Sequence, residues 1–97
     1  MLFALYCLDK PDHGAVRQAN RPAHLTYARE WEPKMLFGGP LLDASGESMI
    51  GSLMVFDVAD RAEVEAFSAG DPYTKAGLFE SVTISPYRLL LGPHARI

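Results

Sequence analysis

His24 and Asp71 are the two side chains of this sequence best suited to passing a proton between them. An imidazole, with an unperturbed pKa of about 6.5, takes up and releases a proton near neutrality. A carboxylate bonded to one ring nitrogen fixes the tautomer and makes the other nitrogen a better base. His24 falls on a predicted helix and Asp71 in the corner Asp71-Pro72-Tyr73 before the last strand, so the pair exists only if the fold closes the distance. Each residue also has an ordinary explanation. His24 flanks an apolar helix stripe and could make a simple hydrogen bond at the margin of the core, and Asp before Pro is a common turn initiator.

Three further polar side chains stand where a ligand could meet them. Ser52 interrupts an otherwise apolar strand; it could bond a ligand from the sheet surface, or Gly51-Ser52 could make room for close packing. Arg21 and Tyr73 adjoin the central pair and could bind an anionic or phenolic group, or could be a solvated helix end and an amphipathic corner residue. No metal site is expected, because His13, His24, His94 and the single Cys7 lack zinc-type spacing. Gly38-Gly39-Pro40 has neither the Lys-Ser/Thr sequel of a phosphate loop nor the spaced glycines of a dinucleotide fingerprint. Trp31, Met35 and Phe37 read as core, and Cys7, inside an apolar run, as a buried thiol.

The elements that must position these residues follow from periodicity. Met1 to Leu8 is apolar on both parities, the mark of a strand covered on both faces. Asp9 to Gly14 collects turn formers. From Ala15 to Trp31 the residues Val16, Ala19, Ala23, Tyr27 and Trp31 form a helical stripe, in which Pro22 marks either a helix start near Asn20 or Arg21 or a kink. Lys34 to Gly39 reads as a second strand ended by Gly38-Gly39-Pro40, and Met49 to Val58 as a third, again apolar on both faces. Asp60 is a good N-cap for a helix from Arg61 to about Ala69, with Val64, Phe67, Ala62 and Ala66 inward and Gly70 as the stop. Thr74 to Glu80 suggests another turn or two of helix. Val82 to Leu91 reads as the last strand, with Pro86 placing it on a sheet edge.

The order is βαββαβ, and right-handed crossovers arrange it as a ferredoxin-like α+β fold: a four-stranded antiparallel sheet with helices on one face. Strands one and three are apolar on both sides, so the uncovered face is expected to meet a second copy of itself in a homodimer. With 97 residues and no linker, residues 1–97 form a single domain. A net charge of −3 without a basic cluster argues against nucleic acid and anionic membranes as partners. The absence of a leader-like segment or a long apolar run leads to the expectation of a cytoplasmic protein. The tail from Gly92 to Ile97 could be loose or reach a partner.

Arg21-Pro22-Ala23-His24-Leu25, Gly39-Pro40, Gly51-Ser52, Asp71-Pro72-Tyr73, Ala76-Gly77-Leu78-Phe79-Glu80 and Pro86 together resemble the YCII-related family. The resemblance covers nearly the whole chain; its most specific parts are the helical His after Arg-Pro and the Asp-Pro corner. It implies a dimeric α+β barrel, in which two ferredoxin-like units pair through their sheets, and an active site where a histidine faces an aspartate. Gly39 and Pro40 would then adjoin the substrate with Ser52, Arg21 and Tyr73. Some members are similar to dehydrochlorinases of hydroxylated chloroaromatics, which suggests proton abstraction. The resulting expectation is a small enzyme without a cofactor, of lyase or isomerase type, acting through His24 and Asp71 on an aromatic or carbonyl-containing molecule. The alternative is a binding or accessory dimer that uses the same pocket without turnover.

Overall fold

The computed structural model describes residues 1–96. Strand β1 (Leu2–Asp9) leads to helix α1 (Gly14–Arg29) and a 3-10 turn (Glu32–Lys34). Strands β2 (Met35–Leu42) and β3 (Met49–Asp57), helix α2 (Arg61–Gly70), the short helix α3 (Pro72–Lys75) and strand β4 (Phe79–Tyr87) follow. The sheet is antiparallel in the order β2-β3-β1-β4, so the two strands that are apolar on both parities occupy its centre. This is the expected ferredoxin-like arrangement. No helix of the described residues is long and apolar enough to cross a membrane.

Local chemistry explains most boundaries. Asp60 accepts a hydrogen bond from the Glu63 amide at 3.2 Å while the Glu63 carboxylate accepts one from the Ala59 amide at 2.9 Å, a reciprocal cap that starts α2. Helix α3 ends because Gly77 turns into the left-handed region at φ 72°; the helix expected to continue to Glu80 therefore stops at Lys75. Strand β4 begins at Phe79, earlier than Val82, because Phe79 pairs with Asp9 beyond an irregularity in β1. It ends at Tyr87 because its partner Leu2 is the first residue of β1, leaving Arg88 to Leu91 no strand to pair with. Gly38-Gly39-Pro40 does not end β2, which runs on to Leu42. β2 is an edge strand, where a proline without an N–H leaves no ladder broken on its free side.

Helix α1 is one helix with Pro22 inside it. An interior proline costs about 3 kcal/mol, so this helix depends on what it packs against. The predicted stripe turns inward only in part: Tyr27 and Trp31 pack on the core, but Ala19 and Ala23 are exposed, whereas Arg17 and His24 are buried. On α2, Val64 and Phe67 are buried as expected, but Ala62 and Ala66 face solvent.

The main core lies between the helices and one sheet face, with Phe3, Leu5 and Cys7 of β1 and Met54 and Phe56 of β3 against Val64 and Phe67. Phe67, fully buried, sits among the rings of Phe56, Tyr27 and Trp31 at centroid distances of 4.9, 5.2 and 5.4 Å. Its carbonyl also accepts the Tyr27 hydroxyl proton at 2.8 Å, tying α2 to α1. On the opposite face the register sets Tyr6 beside Leu53 and Phe37 beside Val55, and Tyr6 and Phe37 remain 42% and 46% exposed. Between the central strands, Gly51 lets the backbones approach: a Cβ there would come within 2.4 Å of the Cys7 carbonyl oxygen.

Phe67→Ala is expected to lower the unfolding free energy by about 3–5 kcal/mol, whereas Ala66→Ser should stay within about 0.5 kcal/mol of the parent. Urea denaturation of both variants measures the difference.

Candidate acid–base site

A cavity of about 450 Å³ opens between α1 and the β2–β3 side of the sheet. Arg21, His24, Gly39, Pro40, Ser52 and Tyr73 all line it. Asp71 lies behind His24, 1% exposed and outside the lining.

The imidazole and the carboxylate meet: His24 Nδ1 is 2.8 Å from Asp71 Oδ1 across 47 positions of sequence. The same oxygen accepts the Tyr73 amide proton at 2.9 Å, so Asp71 caps α3 while it contacts α1. An ionised carboxylate only accepts hydrogen bonds. Toward an ionised Asp71, Nδ1 carries a proton, and in the neutral imidazole Nε2, which has no protein partner among the described residues, is then the acceptor on a residue of the cavity wall. The Tyr73 ring stacks on the imidazole with centroids 4.0 Å apart and planes 14° from parallel, which holds the ring in its plane. This is the geometry of an oriented general base.

Beside this pair stands a residue the sequence reading did not single out. Arg17 is 3% exposed and lines the cavity. It is held two-pronged by Asp9, Nε to Oδ2 at 2.7 Å and Nη2 to Oδ1 at 2.9 Å, and Nη2 also donates to Ser52 Oγ at 3.2 Å. Burial works against the guanidinium charge, but the Asp9 hydrogen bonds and charge outweigh it and hold Arg17 protonated above its ordinary range. Its Cζ lies 4.6 Å from the centroid of the Tyr73 ring. The available signal was spacing: Arg17 precedes His24 by seven residues, two helical turns, and so shares its face. Asp9 gave no sign of its role, since a carboxylate among turn formers reads as a turn residue. Ser52 is 3% exposed and lines the cavity under Arg17, while the neighbouring Gly51 serves close packing. Among the described residues no group of three or more His, Cys, Asp or Glu side chains is placed to hold a metal ion.

Comparison with known proteins gives the chain a family. A model of the YCII-related domain matches residues 1–88, and the chain belongs to the YCII-related family. Protein YciI of Escherichia coli O6:H1 is 30% identical over 95 residues, spanning 91% of this chain and 97% of that protein. Among solved structures, 5-chloro-2-hydroxyhydroquinone dehydrochlorinase from Burkholderia phenoliruptrix AC1100, in complex with 2,5-dihydroxybenzoquinone, superposes with a TM-score of 0.87 at 35% identity, covering 99% of this chain and 100% of that one. A Nitrosomonas europaea protein of unknown function, at 20% identity and a TM-score of 0.56, shares the fold.

Cys7 sits beneath the site, 1% exposed. Burial pushes its thiol up to about 12 from an ordinary 9.0, with the Asp71 and Asp9 charges acting in the same direction and Arg17 opposing them. It is a neutral thiol at pH 7, so the folded protein should resist iodoacetamide while the urea-unfolded chain reacts at once. Because the folded thiol binds its proton more tightly than the unfolded one, this contribution to stability is complete below pH 9 and fades as the pH rises toward 12. Denaturation midpoints for the parent and Cys7→Ala, measured across that range, should converge as the parent loses this contribution.

Proposed function

We propose that this member of the YCII-related family is a small enzyme, working without a cofactor, that removes a proton from an aromatic or carbonyl-containing molecule. The observation that carries this reading is the 2.8 Å contact between His24 Nδ1 and Asp71 Oδ1, with Nε2 unpartnered at the cavity wall. His24 Nε2 takes the substrate proton. The electron pair released forms a new π bond, and either a leaving group such as chloride departs with its own pair, a lyase reaction, or the proton returns at another carbon, an isomerisation. Asp71 stabilises the imidazolium that forms and keeps the ring in its reactive tautomer. Arg21, Ser52, Tyr73, Gly39 and Pro40 surround the bound molecule. The likeness to a dehydrochlorinase at 35% identity and full coverage supports the elimination form.

The same reading includes a homodimer. The sheet face bearing Tyr6 and Phe37 has no helix over it, and a second copy offers the matching apolar surface. Sedimentation equilibrium should give twice the 10.7 kDa chain mass, and a monomer at micromolar concentration would overturn this part.

Incubation with 5-chloro-2-hydroxyhydroquinone, with free chloride measured by an ion-selective electrode, tests the elimination directly. Loss of the base typically costs roughly 10²–10⁴-fold in rate, which is the drop expected for His24→Ala; Asp71→Asn should fall in the same direction, with unchanged circular dichroism in both. Full activity in both variants would dispose of the acid–base pair. A panel of hydroxylated aromatics and enolisable carbonyl compounds returned intact would favour binding without turnover.

A further inference from the structure

The hydrogen-bonding capacity around His24 is lopsided. Arg17 offers five N–H groups and accepts none. Three are engaged, two by Asp9 and one by Ser52; the guanidinium also lies within hydrogen-bonding reach of the Tyr73 hydroxyl oxygen, which leaves one N–H for a ligand. Ser52 Oγ already receives a proton from Arg17, so its own hydrogen must point elsewhere, and no protein acceptor among the described residues takes it. The Tyr73 hydroxyl likewise has no acceptor there. Burial raises its pKa, although the Arg17 and Arg21 charges pull the other way, so at neutral pH it keeps its proton and can donate. Arg21 and Arg29 line the same cavity without a salt-bridge partner among the described residues, and Glu32 is the single carboxylate on the lining.

The cavity wall around His24 is therefore rich in donors, with Nε2 of the neutral imidazole as an acceptor beside them. A ligand without oxygen acceptors would leave buried donors unpaired, which is costly. Asp9 matters because it fixes the guanidinium two-pronged, so that neither Arg17 nor the Ser52 hydroxyl it points at has to reorganise when negative charge arrives.

We propose that Arg17, locked by Asp9, and the Ser52 and Tyr73 hydroxyls form a cradle that binds the substrate as the oxyanion of a small phenol or enol. This rests on the function proposed above in placing the substrate in this cavity, and it adds the charge state in which the substrate is held and the residue that selects it. Arg17 is the specificity-determining residue, Asp9 its positioning residue, and Met35 and Met54 supply an apolar wall for the rest of the molecule.

Equilibrium binding separates this from turnover. The probe is para-nitrophenol, whose anion has its own visible absorption band, compared with its methyl ether, para-nitroanisole, which has the same ring and cannot ionise. The parent protein should bind the probe as phenolate, lowering its apparent pKa, and at least tenfold more tightly than the ether. His24→Ala should keep that preference while losing catalysis, because the para-nitrophenolate probe has already shed its only acidic proton, whereas a substrate held by one oxyanion still carries the proton that His24 removes. The joint replacement Asp9→Asn/Arg17→Met avoids leaving one charge buried alone; it should abolish the preference, leave ether binding unchanged and return the bound probe's pKa to its value in water. Ser52→Ala should reduce the preference in part.

Equal affinity for phenolate and ether in the parent, an undiminished preference in the Asp9/Arg17 double variant, or no binding of either probe would overturn the cradle. Phenolate selectivity that persists in a protein inert toward every substrate tried would uphold the cradle and remove the enzyme reading. Turnover without phenolate selectivity would do the reverse.

Discussion

Asp71 Oδ1 accepts two hydrogen bonds, one from the Tyr73 amide and one from His24 Nδ1, and the arrangement of the site depends on that shared oxygen. The first bond is local: it caps the start of α3, while the Asp71 amide bonds the Ser68 carbonyl at the end of α2. The second reaches across 47 residues to α1. A carboxylate 1% exposed is tolerable only when its acceptor capacity is met, so folding and site assembly are one event at this position. With the carboxylate held, the imidazole has a defined tautomer, and with Tyr73 directed by the same carboxylate, the imidazole has a ring to stack on.

Helix α1 shows what such a site asks of its scaffold. Its buried side chains are Arg17 and His24, each answered by a carboxylate from another element, Asp9 at the end of β1 and Asp71 at the start of α3. Two buried polar pairs stabilise a fold less than well-packed hydrophobic groups of similar volume would. The compensation lies toward the C-terminal end of the helix, where Tyr27 and Ala28, with Trp31 just beyond it, pack against the core around Phe67. One helix thus turns Arg17 and His24, on either side of Pro22, toward the cavity and packs Tyr27 and Ala28 on the core.

Sheet topology does the rest of the positioning. β1 and β3 pair at the centre, setting Cys7 opposite Ser52. Arg17 passes over this pair to reach Asp9, two residues beyond Cys7 on β1. β2, as an edge strand, can carry Gly38-Gly39-Pro40 beside the cavity without breaking an interior ladder. The open edge of the sheet is where the ligand space lies, and the closed centre is where the charges are fixed.

Strand order, the central place of the two strands apolar on both parities, the Asp60 cap and the edge position of Pro86 were all legible in the sequence, because each rests on a short-range rule of burial or backbone chemistry. His24, Asp71, Ser52, Arg21 and Tyr73 could be named because proton and anion chemistry limits the residue types, and the family resemblance pointed to the same positions. What the sequence could not decide was which face of α1 turns inward. The stripe of Val16, Ala19, Ala23, Tyr27 and Trp31 packs on the core only at its Tyr27 and Trp31 end; at the other the molecule exposes Ala19 and Ala23 and buries an arginine and a histidine, since a charge goes inside only where a partner from a distant element awaits it. Such partners are tertiary facts: Asp9 and Asp71 look like turn residues until the sheet and the helix corner bring them to Arg17 and His24, and only that juxtaposition makes the wall of a cavity from side chains scattered along the chain.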